Sequence, residues 1–427
     1  MKDFDISESR VIVHNLTLKG IEHVPGVLDF DQRGILCART GDIVVTKRPP
    51  ENTFLLYLES IGWDFSGVTF ISPKSISDYT YKSVFYDTDV NHALQGAKRG
   101  YIDTYQNTRE EELFSKRLHM PLYSTPTVGQ RYGTKSGFRR FAKKLKLPIV
   151  RGFESIHGVD ELLKKCLALF AKGIHTVVVK IDEGVSGAGQ TLLQKDIFLS
   201  LSTNKQLALL VSSIEKIPQL YSESSVTAEE WREDIVASPS IQLEVTPQKE
   251  IRIRSLHDQL LEGVEKWYIG CSYPPTTLNH NQLTQIMEQA ILFTKALIKE
   301  GFVGFLGLDT IITSKGDILW VEANIRKPGT FYPRIIAEKI NGGTLKNIYY
   351  IACDFTVSGW KGMPFAQLKK KLGLFLYPIG KTKTGIIVYN TGALVDAGRF
   401  DIVCIGRSQQ EAVEIFSNIK KCMKGVL

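Results

Sequence analysis

With 427 residues, 43% of them apolar, the chain is long enough for two or three domains with cores of their own. Lysine and arginine outnumber aspartate and glutamate by 53 to 45, a moderately basic balance that favours small anionic ligands over a nucleic-acid partner. Six scattered cysteines without a C-x-x-C pair argue against a disulfide framework or a zinc ribbon. No run approaches the roughly 20 apolar residues of a membrane span, and the charged opening MKDFDISESRV has no signal-peptide core, so a cytoplasmic protein without a membrane partner is expected.

Residues 1–125 alternate short strands and helices. GDIVVTKRPP is a β-rich run stopped by two prolines, NTFLLYLESIGW has helical spacing, and SGVTFISP is a further strand between turn signals. The alternation predicts a small α/β domain, and no G-x-G-x-x-G follows these strands, so no dinucleotide site is expected there. YSTPTVGQRYGTK reads as a linker into a core domain over residues 126–350. In that core, TKSGFRRFAKKLKLP predicts a basic amphipathic helix with Phe138, Phe141, Ala142 and Leu145 on one face. TVVVKIDEGVSGAGQTLL reads as strand, glycine-rich loop, strand. The polar stretch SESSVTAEEWREDIVASPS leads into IQLEVTPQKEIRIRSL, two strands around a turn, and residues 282–300 have the spacing of an amphipathic helix. Residues 351–427 are expected to form a separate small α/β domain. Its last helix starts at a Ser408-x-x-Glu411 capping box and turns Ala412, Phe416, Ile419 and Met423 to its buried side.

GFLGLDTIITSKGDILWVEAN reads as a hairpin turning at Lys315-Gly316. Ser314 then faces Asp317, and counting outward sets Asp309 opposite Glu322, where cross-strand Cβ atoms lie roughly 5 Å apart. Like charges so placed repel unless a cation or a shared proton lies between them. Asn324 and Arg326 follow at every second position on the same face. Two carboxylates and an amide oxygen are hard donors, suited to Mg²⁺ that keeps some water and takes phosphate oxygens as its other ligands. A guanidinium beside them suits a phosphate. An exposed hairpin face with unrelated charges has the same pattern, so other elements must decide.

Lys180 ends the apolar strand TVVVK, and Lys135 opens the basic helix. DEGVSGAGQ, between two strands, can offer backbone N–H groups to phosphates. It has no Lys-Ser/Thr ending and no following helix, which excludes the Walker and Rossmann arrangements. Singly, each of these is an ordinary surface lysine or turn. In the order Lys135, Lys180 with EGVSGAG, Asp309, then Glu322-x-Asn324-x-Arg326, across residues 130–345, they resemble the ATP-grasp superfamily. EGVSGAG, SPSIQL and GCSYP resemble more closely its pheganomycin-type peptide ligases.

That resemblance implies an α/β ATP-grasp fold flanked by an N-terminal pre-ATP-grasp domain and a small C-terminal domain. It implies that Lys135 and Lys180 bind ATP phosphates under a lid over residues 184–189, with Glu183, Gly184, Ser186, Gly187 and Gly189 against the nucleotide. Asp309, Glu322 and Asn324 would hold two Mg²⁺ ions, Mn²⁺ being the alternative, and Arg326 would steady the transferring phosphoryl group. The adenine-side carboxylate falls on Glu233, or on Glu230. Arg252 and Arg254 would reach a substrate carboxylate or a phosphate. The implied activity is an ATP-dependent carboxylate–amine ligase that forms an amide through an acyl phosphate, from a small carboxylate donor and an amino-acid or peptide amine. A homodimer fits ligases of this kind. A phosphotransferase on the same fold and a non-catalytic ATP-binding scaffold are the alternatives. No histidine adjoins a motif to carry phosphate, and Cys271 has no identifiable base, so it reads as a packed thiol. The basic cluster from Arg131 to Arg151 reads as a solvated helix face rather than an RNA surface.

Overall fold

The computed structural model describes residues 4–16, 24–76, 83–95, 100–183, 189–214, 225–264, 266–378 and 382–424. Three sheets organise them. The first holds β1 (Arg10–Val13), β2 (Ile43–Val45), β3 (Thr69–Ile71) and β4 (Tyr101–Thr104), all parallel, in the order β3-β2-β1-β4. Helices cover it, so its central strands can be apolar on both faces, as the buried Val11, Ile12, Val13, Val44 and Val45 are.

The second sheet is antiparallel, with β5 (Gly152–Ile156), β6 (Thr176–Ile181), β7 (Gln190–Gln194) and β8 (Val226–Glu230) in the order β5-β8-β6-β7. Its apolar face packs on the helices Val159–Ala171 and Thr203–Ile214. The polar stretch, to which no element was assigned from the sequence, supplies β8 and the short β9 (Ile235–Ala237). Its charges are accommodated because Glu229 and Glu230 both meet cations, as shown below.

The third sheet contains β9, β10 (Pro239–Val245), β11 (Ile251–Glu262), β12 (Trp267–Tyr273), β13 (Gly304–Thr313), β14 (Ile318–Asn324), β15 (Tyr349–Thr356), β16 (Gly385–Tyr389) and β17 (Arg399–Gly406). Its order is β14-β13-β10-β11-β12-β15-β17-β16, with β9 paired to β13. The expected domain boundary at 350/351 falls inside β15, and β16 and β17 extend the large sheet rather than forming one of their own. The physical reason is a shared apolar core: Phe54 and Tyr57 of the N-terminal helix Asn52–Ser60 pack on Phe365, in one cluster with Ile386, Ile402 and Val403. The join at β12–β15 depends on Gly270, whose Cβ, if present, would lie 2.0 Å from the Ala352 carbonyl oxygen.

The residues expected as a linker form the helix Pro126–Tyr132. Proline at its first position costs no hydrogen bond, and Val128 and Tyr132, one turn apart, are buried. The basic helix spans Lys135–Lys144, capped by the Thr134 hydroxyl, which accepts from Gly137 N–H at 3.0 Å. Phe138, Phe141 and Ala142 are buried, and both rings meet Phe293 of the helix His280–Lys299; Leu145 is the C-cap and only half-buried. At the C-terminal helix Gln409–Lys424 the Ser408 hydroxyl accepts from Glu411 N–H, while the Glu411 carboxylate reaches back to Arg407 rather than to Ser408. Among the described residues no helix is long and apolar enough to cross a membrane.

Candidate functional site

A cleft opens between the second sheet and the large sheet. Val178, Lys180 and Gln190 line it from one side, Ile311, Val321 and Tyr268 from the other, and the crossover segment Glu230, Trp231 and Arg232 closes its edge. Of the two expected adenine-side carboxylates, Glu230 lines this cleft, ion-paired with Arg151 at 2.8 Å. Glu233 is exposed and accepts from the Thr176 hydroxyl instead.

Asp309 and Glu322 are directly paired across β13 and β14. The hairpin turn differs from the expected one: Thr313 pairs with Asp317 around the three-residue loop Ser314, Lys315 and Gly316, with Gly316 at φ +86°. A bulge between Asp309 and Thr310 then shifts the register by one and restores the facing carboxylates. Asp309 is buried; its Oδ1 accepts from the Ser240 hydroxyl, and its Oδ2 accepts from Asn324 Nδ2 at 2.9 Å. The same amide nitrogen donates to Glu322 at 3.1 Å, and Asn324 Oδ1 accepts from Arg326 Nη2 at 2.8 Å. Burial, and then the facing Glu322 charge, push Asp309 up to about 7. Burial alone would raise Glu322 too, but the Lys135 ammonium and the Asn324 amide hold it below the usual carboxylate range.

This donor set fits a divalent cation. Two carboxylates of like charge, Asp309 buried and Glu322 half-buried, face each other, and turning the Asn324 amide about its last torsion would put a third oxygen beside them. Among the described residues no group of three His, Cys, Asp or Glu side chains offers an alternative metal site.

Lys135 and Lys180 line the same cleft, facing this acidic pair. Burial keeps Lys135 below the usual lysine range in spite of Glu322. Its position is set by Asp182 at the start of the glycine loop, whose carboxylate accepts from Ser136 N–H at 3.0 Å and from the Ser136 hydroxyl at 2.7 Å. Lys180 is set by Glu229, which the sequence reading passed over. Glu229 is 1% exposed, 3.0 Å from Lys180 and 3.5 Å from Arg139, and these cations hold it down at about 2 against the cost of burial. A carboxylate directly after Ala228, the buried middle residue of the strand, was the available signal. Gly189, at φ +75°, closes the β6–β7 loop, with its carbonyl accepting from Ile181 N–H. Glu183 stands exposed at the start of that loop, and Gly184, Ser186 and Gly187 lie outside the described residues.

The acidic pair also borders a second cavity, into which Asn324 and Arg326 project. Arg326 is followed by Lys327, 2% exposed, whose ammonium is bound by Asp103 and the Thr104 carbonyl of β4. That buried lysine fixes the end of the hairpin to the N-terminal sheet. Arg252 and Arg254 are not brought to either cavity: Arg252 pairs with Glu250 at 2.8 Å on the surface, and Arg254 lies 3.4 Å from Glu338. Both project away because β11 turns its cavity-facing positions, Gln259 and Leu261, from the other end of the strand. Cys271 is fully buried, its thiol pushed up to about 12, as suits a packed side chain.

Two sheets gripping a cleft, with an acidic hairpin on one, Lys180 on the other and Lys135 at the start of the adjoining helix, match known structures over almost their whole length. The chain superposes on the biotin carboxylase–β,γ-ATP complex of Campylobacter jejuni with a TM-score of 0.64, at 14% identity over 95% of this chain and 89% of that one. It superposes on carboxyaminoimidazole ribonucleotide synthase from Aspergillus clavatus, complexed with ATP, with a TM-score of 0.60, at 12% identity over 99% of both. The fold is ATP-grasp. A curated ATP-grasp relative, the L-propargylglycine–L-glutamate ligase of Streptantibioticus cattleyicolor, is 22% identical over 320 residues. That match spans 68% of this chain and 64% of the relative, so the chain aligns with less than two thirds of that ATP-grasp ligase. No family model matches.

Proposed function

We propose that the protein is an ATP-dependent carboxylate–amine ligase, joining an amino acid to a second amino acid or a peptide. The observation that carries this reading is the facing pair Asp309–Glu322, the first buried and the second half-buried, with Asn324 and Arg326 beside it, facing Lys135 and Lys180 across an apolar-walled cleft. The curated relative is named for joining propargylglycine to glutamate, so pairs of amino acids are the first substrates to try. Two Mg²⁺ ions, held by Asp309, Glu322 and Asn324, would supply charge neutralisation at the phosphates.

The chain's own residues do the rest. Val178, Ile311 and Val321, which wall the cleft, would sandwich the base, and the segment Glu230–Arg232 would border its edge. Lys135 and Lys180 offset the phosphate charge in a cleft where low polarity strengthens each contact. Arg326, pinned through Asn324 and Lys327, meets the oxygen that gains charge as a substrate carboxylate attacks the γ-phosphorus and ADP leaves. The amine then attacks the acyl carbon, phosphate departs with the C–O bond electrons, and the amide remains. No covalent enzyme nucleophile is needed.

ADP and phosphate release with Mg·ATP and pooled amino acids and short peptides, read with product masses, tests this. Masses equal to two components minus water, lost in Glu322→Gln, are expected. A substrate gaining one phosphate would make the protein a kinase, and tight ATP binding without either product would favour a scaffold.

A further inference from the structure

The second cavity holds charged groups that the reaction just described does not use. Arg33, from the 3-10 helix Val27–Cys37, is 6% exposed and lines this cavity. Its guanidinium is boxed by three rings, with its carbon 4.7 Å from the Phe30 centroid, 4.9 Å from Tyr105 and 4.7 Å from Tyr332. Its Nε donates to the Phe30 carbonyl at 3.1 Å, but its buried Nη2 has no hydrogen-bond partner among the described residues. Aromatic faces soften the burial of a cation and do not satisfy a fork of N–H donors. Such a group lacks a planar anion.

The complementary orphan lies on the same cavity wall. Asp401 of β17 is 6% exposed; its Oδ2 accepts from Asn390 at 3.0 Å, while its Oδ1 has no hydrogen-bond partner among the described residues. Arg399 lies 3.8 Å from that oxygen, too far to bond it, and is itself turned to Asp354 at 3.3 Å. The Arg399 guanidinium also stands 4.9 Å from the centroid of Phe30, the ring that Arg33 meets at 4.7 Å, and the Arg33 charge acts on Asp401 across the same cavity. Burial pushes Asp401 up to about 6, and a cation seated on it would favour its ionised form.

We infer that this cavity is a subsite for the head group of a free α-amino acid, its carboxylate on Arg33 Nη2 and its ammonium on Asp401 Oδ1. The inference rests on reading the adjoining cleft as the nucleotide site of a ligase, and it narrows the substrate class: one substrate enters with both head groups unblocked. The cavity continues from there to Asn324 and Arg326, so a head group seated at Arg33 lies on the path to the phosphoryl end of the cleft. A donor and an acceptor of opposite charge, each buried and neither hydrogen-bonded among the described residues, are an arrangement that a zwitterion satisfies in one step.

The full chain is titrated with the twenty standard L-amino acids singly, in the presence of Mg²⁺ and the β,γ-imido analogue of ATP, by thermal shift and then calorimetry. Nucleotide binding is measured first and alone. For each amino acid that binds, its α-carboxamide and its deaminated acid are compared on the unaltered protein, which removes any question of misfolding. Each analogue loses one charge-assisted contact, so affinity is expected to fall by about ten- to a hundredfold. Arg33→Lys and Asp401→Asn should each weaken the parent amino acid and leave nucleotide affinity unchanged. Equal binding of parent and analogues overturns the inference, as does nucleotide binding with no amino acid bound. Amino-acid binding that shows this selectivity without nucleotide binding upholds the subsite and sinks the ligase reading.

Discussion

Replacing Glu229 by glutamine separates the charge of the buried carboxylate from its shape. The amide oxygen of the new side chain would still accept the Thr227 hydroxyl, which lies 2.8 Å from Glu229, so the change removes one negative charge between Lys180 at 3.0 Å and Arg139 at 3.5 Å. Breaking a buried pair by removing one partner costs about 3–5 kcal/mol. Arg139 keeps Glu154 at 3.2 Å and the Val150 carbonyl, which places the expected loss near the lower figure. The titration of Glu229 gives a second route to the magnitude. Held at about 2 when folded, against 4.5 ordinarily, it supplies on the order of 3 kcal/mol at neutral pH. Because its folded value is lowered, that contribution is complete above about 4.5 and is lost as the pH falls toward about 2. Urea unfolding at pH 7 should therefore show Glu229→Gln about 3 kcal/mol less stable than the parent, with the gap narrowing at pH 3. Lys180→Met added to it should restore part of the stability, since one stranded cation is gone, and should not restore ATP affinity. A loss below about 1 kcal/mol at pH 7, or a double variant no more stable than the single, would refute the account of Glu229 as the counter-charge that sets Lys180.

Asp309→Asn should lower Mg·ATP turnover by at least about a hundredfold in a steady-state assay, and raise the melting temperature without nucleotide, because the repulsion from Glu322 is relieved. Asp31 is 2% exposed and pushed by burial up to about 7, so the folded state prefers it protonated and loses stability as the pH rises from about 4 through 7. Asp31→Asn should accordingly raise the melting temperature at pH 8 and change it little at pH 4, by calorimetry at both. Gly270→Ala should destabilise the chain severely, since its methyl would meet the Ala352 carbonyl inside a sheet; hydrogen exchange should show the loss of protection centred on Cys271 and Ala352.

The facing of Asp309 and Glu322 was legible by counting from the hairpin turn, although through two departures that offset each other. The loop is one residue longer than Lys315-Gly316 alone implies, and the bulge beside Thr310 takes that residue back. A bulge leaves little trace in composition, so a count across it succeeds only where another irregularity compensates. Patterns of period 3.6 and 2 marked the basic helix, β6 and β7 and the helix His280–Lys299, because each buries one continuous apolar face. Strand β8 was missed for the opposite reason: the polar stretch around Glu229 and Glu230 has no continuous apolar face, and only long-range partners, Lys180 and Arg151, let these carboxylates sit in a strand. Arg252 and Arg254 looked available on a strand, and the neighbours that engage them, Glu250 and Glu338, are set by the folded chain. Arg33 carried no motif at all; apart from Phe30, its surroundings come from Tyr105, Tyr332 and Asp401, which lie far along the chain and meet it only in the fold.

Six strand spacings separate β14 from β17 along the large sheet, roughly 29 Å if it were flat at about 4.8 Å each. Asn324 on β14 and Asp401 on β17 nevertheless border a single cavity, so the twist and coil that sheets carry set how far apart its two ends stand. The curl acts as a caliper. Its radius fixes how far the acidic hairpin stands from the C-terminal strands, and so the length of molecule that can touch both. A substitution that tightened or relaxed the coil at β11 or β12 would reset that gauge, and change which substrates fit, without altering a side chain that contacts them.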